Sequence, residues 1–162
     1  MEVLTEVDEV RKQLLQELNH FSGESINSKP TPDSWCAGQV AEHLIKSTGS
    51  IAQFIRMDGE RISRPADERV EELKSIFLDF SRSFQAPEFI VPTRLHYALG
   101  PLTTEVDNTY NELLRAADNA DLNETVSHKA FGKVSKLEIL YFVLFHTQRH
   151  IQQIKRIEKT IK

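Results

Sequence analysis

This 162-residue sequence is poor in the residue types that cross-link a small fold or anchor it in a membrane. It contains one cysteine, Cys36, which excludes an internal disulfide, and this scarcity is typical of a cytoplasmic protein. No window approaches the roughly 18–20 consecutive apolar residues that a membrane-spanning helix needs. The first residues, MEVLTEVDEVRKQLL, include acids and lack an apolar core, so we expect no signal peptide.

Positive charge is also scarce. The chain has 20 Lys and Arg against 24 Asp and Glu, which gives a net charge of −4 and a pI near 5.9. No basic cluster follows one face, and the basic residues near the C-terminus suit the negative end of a helix dipole. Nucleic-acid binding is therefore not expected as a main activity. With 40% apolar and 27% charged residues, the composition is typical of one globular domain over residues 1–162.

Helical periodicity runs through most of the chain. Apolar residues recur at three- and four-residue steps, no stretch alternates apolar and polar residues over six positions, and no Asn-Gly hairpin occurs. We predict an all-α fold, a four-helix bundle with one additional short helix. The predicted helices cover residues 2–20, 36–56, 67–84, 103–118 and 135–159. The short helix is the third, in the connection between bundle helices two and three, and the remaining segments are predicted to be loops.

Local signals mark two of the helix starts. Ser135 and Glu138 have the spacing of a capping box, in which the serine accepts at the helix start and the glutamate reaches back. Thr104 followed by Asp107 resembles a capping arrangement as well. The prolines between residues 85 and 102 predict a short extended piece, because each proline lacks an amide donor and restricts the residue before it.

The most informative residues are two histidines four positions apart near the C-terminus. His146 and His150 continue the apolar stripe of Ile139 and Val143, and therefore face inward on the last helix. Two inward imidazoles have four ring nitrogens that need partners, and a metal ion takes one from each ring. The pair lacks the glutamate of the HExxH motif, which disfavours a zinc protease.

A third histidine, His43, lies on an inward stripe of the second helix between Val40 and Ile51. If it faces the pair, the three imidazoles form a metal site with an open position for water or substrate, as catalytic metal sites have. Glu42 points about 100° away from His43 on the helix and is not counted as a ligand. The alternative is that the histidines are core residues with ordinary hydrogen-bond partners, and spacing alone supports both interpretations about equally.

Four other residues are candidates for supporting such a site. Gln39 lies one turn before His43 and would orient a ligand or water, unless it lies at a solvated helix start. Asp107 and Tyr110 would pair with an imidazole, although a helix cap and a core position are the simpler interpretations. His128 precedes the last helix in a predicted loop, where it would hang over the end of the bundle.

Two segments together resemble the DinB/YfiT-like superfamily. SWCAGQVAEHLIKS is similar to the tryptophan-containing start of that group's second helix, and HKAFGKVSKLEILYFVLFHTQRHIQQIKRI is similar to its last helix with the HxxxH pair. The resemblance implies a four-helix bundle of up-down-down-up topology that holds a divalent metal on three histidines. Carried over by position, the ligands are His43, His146 and His150, and His128 matches a recurrent position in relatives. Residues 57–100 match least, so substrate contacts are expected to differ there.

The resemblance also implies a function. Characterised relatives include thiol S-transferases that use small thiols such as bacillithiol or mycothiol, and a maleylpyruvate isomerase. We therefore expect a transferase or hydrolase that acts on a small molecule, with zinc or nickel as cofactor and a metal-bound water or thiol as nucleophile. A homodimer is expected, without a nucleic-acid or membrane partner. The family name records induction by DNA damage and not DNA binding. The alternatives are a non-catalytic binder of a metal or small ligand, and a stress-related interaction module.

Overall fold

Five α-helices dominate the chain and confirm the predicted bundle. The computed structural model describes residues 2–162. The helices are α1 (Glu2–Leu18), α2 (Ala37–Arg56), α3 (Val70–Phe77), α4 (Leu99–Asp118) and α5 (Lys136–Ile161). In the bundle, α1 and α2 each pack against both α4 and α5, and the short α3 lies between α2 and α4 in sequence, as predicted, and packs on α5. Within the described residues, none of these helices has both the length and the apolar content that crossing a membrane requires.

Contacts between helix ends give the directions of three bundle helices. His20, just after α1, lies 3.1 Å from Glu158 near the end of α5, so α1 and α5 run parallel. The carbonyl of Met57, just after α2, accepts a hydrogen bond of 2.6 Å from Lys136 at the start of α5. The end of one helix therefore meets the beginning of the other, and α2 runs antiparallel to α5.

A small sheet covers the end of the bundle at which α5 begins. Its strands are β1 (Glu60–Arg61), β2 (Glu124–His128) and β3 (Gly132–Ser135). β2 pairs antiparallel with both neighbours, from Arg61 opposite Glu124 to His128 opposite Gly132. Because β1 follows α2 and β2 follows α4, both helices end at this sheet and run parallel. The up-down-down-up order implied by the family resemblance is thereby confirmed.

The sheet corrects the prediction of a loop over residues 119–134. Its strands are too short to alternate visibly, since Thr125 and Val126 are adjacent and both buried. The hairpin turn also differs from the two-residue Asn-Gly type, because three residues separate His128 from Gly132, and Gly132 has a φ of 67°. Hairpins with a three-residue turn and a left-handed glycine are common, but their sequence signal is weaker.

The connection between α3 and α4 differs from the prediction at both ends. α3 ends at Phe77 instead of residue 84, because the Asp79 side chain accepts hydrogen bonds from the residue two positions later and forms a turn. α4 begins at Leu99, before its predicted start at 103, and contains Pro101 in its first turn. Proline is tolerated there because the first amides of a helix have no partner within the helix.

The predicted capping box begins α5, and its glutamate does more than cap the helix. The Ser135 hydroxyl accepts from the Glu138 amide, and a Glu138 carboxylate oxygen accepts from the Ser135 amide, both at 2.9 Å. Glu138 is fully buried and also accepts from the Arg64 guanidinium, at 2.7 and 2.8 Å, and from the Arg69 amide. One paired and hydrogen-bonded carboxylate thus joins the start of α5 to the connection that follows α2.

Two glycines of α2, Gly38 and Gly49, offer a matched test of the packing. A methyl group on Gly38 would lie 2.4 Å from Tyr97 Cδ2 and 3.1 Å from the Ile26 carbonyl oxygen, whereas at Gly49 the nearest atom is 3.9 Å away. We expect Gly38→Ala to lower the free energy of unfolding by about 1–3 kcal/mol through overpacking. Gly49→Ala should raise it by up to about 1 kcal/mol through helix propensity. Urea denaturation followed by circular dichroism measures both, and equal stability of the variants would contradict the close packing of Tyr97.

Candidate metal centre

Three histidines from two helices meet inside the bundle, as the family resemblance implied. The Nε2 atoms of His43 in α2 and His146 in α5 are 3.1 Å apart, and His150 Nε2 lies 3.1 Å from the same His146 atom. His43 and His146 are buried, and His150 is partly exposed. The antiparallel packing of α2 and α5 produces this meeting, because it places the first half of α2 beside the middle of α5.

The outer nitrogens of two rings are held by fixed acceptors. His43 Nδ1 donates to the Ile90 carbonyl at 3.0 Å, and His150 Nδ1 donates to Gln153 Oε1 at 2.7 Å. A neutral imidazole that donates from Nδ1 has its lone pair at Nε2. Both rings therefore present acceptor nitrogens beside His146 Nε2, and a cation can satisfy all three.

The spacing and chemistry of these nitrogens fit a divalent ion. Imidazole nitrogens lie about 2.0–2.1 Å from zinc, so neighbouring ligands are separated by about 2.8–3.4 Å at angles between about 90° and 109°. The observed separations of 3.1 Å fall within this range. Imidazole also suits nickel, copper and iron, so the donor set is compatible with several metals. No carboxylate of residues 2–162 belongs to this group of ligand atoms.

Burial keeps the three imidazoles in the neutral form that metal binding requires. Loss of hydration lowers the pKa of His43, and it lowers the pKa of His146 well below the usual value, together with the neighbouring His150 and His43 rings. Burial and the nearby His43 lower the pKa of His150 to about 3. All three side chains are therefore neutral at pH 7.

A cavity of about 770 Å³ opens over the three histidines. Trp35 forms the wall beside His43, with its ring centroid 5.3 Å from the imidazole. The other walls combine six phenylalanines with polar and aliphatic side chains and come from α2, from α3 and the segment after it, from the β2–β3 hairpin and from α5. An ion on the three imidazoles would have the cavity on its open side, with room for a further ligand, which is the arrangement of a catalytic metal site.

A buried carboxylate of α2 fixes the segment before α4. Glu42 is fully buried and accepts a hydrogen bond of 2.6 Å from the Tyr97 hydroxyl. The amides of Thr93 and Arg94 also donate to it, at 2.8 and 3.1 Å. Burial alone would raise the pKa of Glu42, but these donors and Lys46 outweigh it and lower the pKa to about 2. The ionised carboxylate thus holds several backbone and side-chain donors of one segment.

The hydrogen bonds between Glu42 and the segment before α4 form a clamp. Lys46 extends this clamp towards the metal centre. Its Nζ lies 2.9 Å from Glu42 and donates to the Val91 carbonyl at 2.9 Å. Ile90, the preceding residue, supplies the carbonyl that accepts from His43. Because Glu42 and Lys46 flank His43 on α2, they fix the acceptor that orients this imidazole.

Two of the predicted supporting residues have partners away from the histidines. Gln39 accepts from the Cys36 amide at 2.9 Å and so caps α2, instead of lying free at a solvated helix start. Asp107 accepts from Arg11 of α1. The prediction that Asp107 caps its helix is wrong, because α4 begins at Leu99 and places Asp107 near its middle.

The other two supporting candidates lie closer to the site. Tyr110 is buried, as its core interpretation predicted, and its hydroxyl shares a hydrogen bond of 2.7 Å with Thr147, the residue after the central histidine. His128 lies on β2 and lines the cavity, with its ring stacked on Phe131. Its Nδ1 accepts from the Ala130 amide at 3.0 Å, and burial lowers its pKa. The ring is therefore neutral and carries its hydrogen on Nε2.

Comparison of sequences establishes the family. The sequence profile of the DinB superfamily matches residues 6–154 of this chain. The chain belongs to the DinB superfamily. A relative from Bacillus subtilis (strain 168), the uncharacterized protein YuaE, is 24% identical over 159 residues, which are 96% of this chain and 96% of the relative.

Two solved structures share the fold of this DinB-superfamily chain. TT2238, described as a four-helix bundle protein, matches with a TM-score of 0.62 and 18% identity over 96% of this chain and 97% of its own. YfiT from Bacillus subtilis matches with a TM-score of 0.64 and 12% identity over 99% of this chain and 86% of its own. That protein is described as a probable metal-dependent hydrolase with an unusual four-helix bundle topology. At these identities the likeness establishes the fold alone.

Glu42→Gln tests the clamp on the segment before α4. The amide keeps the size of the side chain but loses its charge and places an NH₂ group among donors. We expect the free energy of unfolding to fall by about 2–4 kcal/mol, because buried donors are left without an acceptor. Glu105→Gln is the control, since Glu105 is half-exposed and pairs with Arg94, and should cost about 1 kcal/mol or less. Urea denaturation of both variants measures the difference, and equal losses would contradict the clamp.

Metal-free protein is expected to lose stability as the pH falls below about 6.5. An unfolded histidine has a pKa of about 6.5, whereas burial lowers the pKa of all three site histidines, that of His150 to about 3. In this window the unfolded chain binds more protons, so the free energy of unfolding falls with pH by up to about 1.4 kcal/mol per histidine and pH unit.

Urea denaturation in the presence of a chelator, at about pH 7.5 and about pH 5.5, measures this loss. His146→Gln should show a smaller loss than wild type, because one of the three protons is no longer taken up on unfolding. His96→Gln changes an exposed histidine without an ion-pair partner in residues 2–162 and should match the wild type. A free energy of unfolding that stays constant between the two pH values would show that the imidazoles are not buried in neutral form.

Proposed function

We propose that this chain is a metal-dependent enzyme that carries one divalent ion, zinc or nickel, on His43, His146 and His150. The observation that carries the proposal is the convergence of three Nε2 atoms at the floor of a cavity, two of them on rings whose Nδ1 hydrogens are held. The description of YfiT as a probable metal-dependent hydrolase supports the same chemistry. A structural ion would instead be closed by a fourth protein ligand.

The proposed reaction is a substitution on an electrophilic small molecule: water or a small thiol loses its proton and bonds to the electrophilic atom, and the bond from that atom to the leaving group breaks. A divalent ion held by His43, His146 and His150 would lower the pKa of a coordinated water or thiol towards neutrality. The Ile90 carbonyl and Gln153 hold the outer nitrogens of two rings and so orient their Nε2 atoms, as the outer hydrogen-bond partners of metal ligands generally do. The aromatic cavity walls restrict the water that competes with a bound substrate.

Hydrolysis and thiol transfer differ in the nucleophile and use the same residues. The cavity volume of about 770 Å³ suits a small molecule. A non-catalytic binder would use the same histidines and the same cavity without turnover. The small-molecule substrate and the homodimer expected from the family resemblance stay predictions.

Metal analysis of the untagged protein tests the proposal first. We expect close to one zinc or nickel ion per chain in the wild type, and none in the double variant His146→Ala, His150→Ala, which lacks two of the three ligands. The control variant His20→Ala, His96→Ala removes two exposed histidines and should retain the ion. Circular dichroism shows whether each variant remains helical. A wild type that takes up neither metal from solution would overturn the proposal.

Activity assays distinguish an enzyme from a non-catalytic binder. The metal-loaded protein is offered an activated aryl ester for hydrolysis, and an aryl chloride with a small thiol for transfer. We expect one of these reactions to be faster with wild type than with the double histidine variant by at least about tenfold. A stoichiometric ion without turnover of either substrate would favour the non-catalytic binder.

A further inference from the structure

The cavity over the three histidines has a charge opposite to that of the chain. Its wall contains the arginines Arg82, Arg149 and Arg156 and a single carboxylate, Asp33, whereas the chain has a net charge of −4. The histidines of the cavity supply no negative charge, because an imidazole is neutral or positively charged. A positive wall around an apolar cavity favours an anion inside it.

Two of these arginines already have acceptors. Arg149 donates to the carbonyl oxygens of Phe77 and Asp79, at 3.2 and 3.0 Å, and to that of Arg82. Arg82 in turn lies 3.4 Å from the Asp79 carboxylate. Arg149 therefore fixes the segment after α3 as a wall of the cavity, and Arg82 is paired within that segment.

Arg156 differs from both. Its guanidinium has no hydrogen-bond acceptor and no carboxylate within 4.0 Å in residues 2–162, although it lines the same cavity. It follows His150 by six positions on α5, which is about 9 Å along the helix axis. A guanidinium fork without a partner matches a carboxylate, which it binds through two parallel hydrogen bonds.

The cavity also contains uncovered aromatic surface. Six of the nine phenylalanines of the chain line it. Three of them lie on the segment after α3 and are about half exposed: Phe80 at 50%, Phe84 at 50% and Phe89 at 55%. Exposed rings that share one concave wall are typical of a binding site, because an apolar ligand group that covers them releases water.

We propose that the cavity binds a small organic anion, with its carboxylate on Arg156 and an aromatic or acyl chain among Phe80, Phe84 and Phe89. The inference rests on the proposed function for the other end of this ligand, where the reacting group reaches the histidines. A ligand that reaches both Arg156 and the histidines must span the separation between these side chains. A chain of several carbons separates the carboxylate from the reacting atom.

Phenylbutyrate is a suitable probe, and the single tryptophan is a suitable reporter. Trp35 lines the cavity 5.3 Å from the His43 ring, so its fluorescence responds to a ligand there. Phenylbutyrate is titrated into metal-loaded and metal-free protein, beside the neutral phenylbutyramide and beside butyrate. We expect phenylbutyrate to bind at least about tenfold more tightly than either, since the amide lacks the charge and butyrate lacks the ring. Calorimetry on the same samples measures binding independently of fluorescence.

Arg156→Gln is expected to weaken phenylbutyrate binding about tenfold, to the level of the amide, without changing the metal content. Arg61→Gln is the control, because Arg61 is also exposed but lies on β1 outside the cavity. The inference is overturned if phenylbutyrate does not bind, if acid and amide bind equally, or if binding requires the ion but not Arg156. A wild type without metal would contradict the proposed function instead, and the metal-free titration would still test the anion site.

Discussion

The burial of three imidazoles side by side is the constraint on which the rest of this structure depends. Each ring loses hydration, and a buried ring nitrogen without a partner is costly. The chain meets this demand first at the outer nitrogens, where the Ile90 carbonyl and Gln153 accept from His43 and His150. The Nε2 atoms of these rings then converge with that of His146 as acceptors. A cation satisfies all three together. The packing of α2 against α5 therefore depends on a partner for these nitrogens as well as on apolar contacts.

Irregular segments take part in the site although they supply no ligand. Glu42 on α2 holds the segment that ends at Tyr97, and separating the two would leave a buried carboxylate without its donors. That rigidity reaches the Ile90 carbonyl and through it the His43 ring. On the other side of the cavity, Arg149 on α5 holds the segment after α3 through three carbonyl oxygens. Single ionic side chains from two helices thus fix both walls.

A structural feature could be predicted from the sequence when the residues that cause it lie close together in the chain. The inward HxxxH pair and the Ser135–Glu138 box follow from spacing within one helix, and the structure contains both as predicted. The meeting of His43 with that pair requires the topology, which only the family resemblance supplied. The β2–β3 hairpin and the early start of α4 at Leu99 were missed, because short strands and a proline in a first turn give weak local signals. The role of Glu42 had no local sequence signal, since its backbone donors lie 51 and 52 residues away and any residue type except proline can supply an amide.

The hydrogen bonds of the polar side chains around the histidines favour the proposed catalytic ion over a structural ion. A structural ion is closed by four protein ligands, and Gln153 and Glu42, which lie close to the histidines in sequence, have donor atoms that could complete such a set. Gln153 accepts from His150 Nδ1 instead, and Glu42 turns to the segment before α4. Gln153 therefore orients a ring and Glu42 fixes a wall, and no further His, Cys, Asp or Glu of residues 2–162 joins the three histidines as a possible ligand. The cavity over the histidines combines phenylalanine side chains and positive charge with a neutral His128, which favours a bound organic molecule over bulk water.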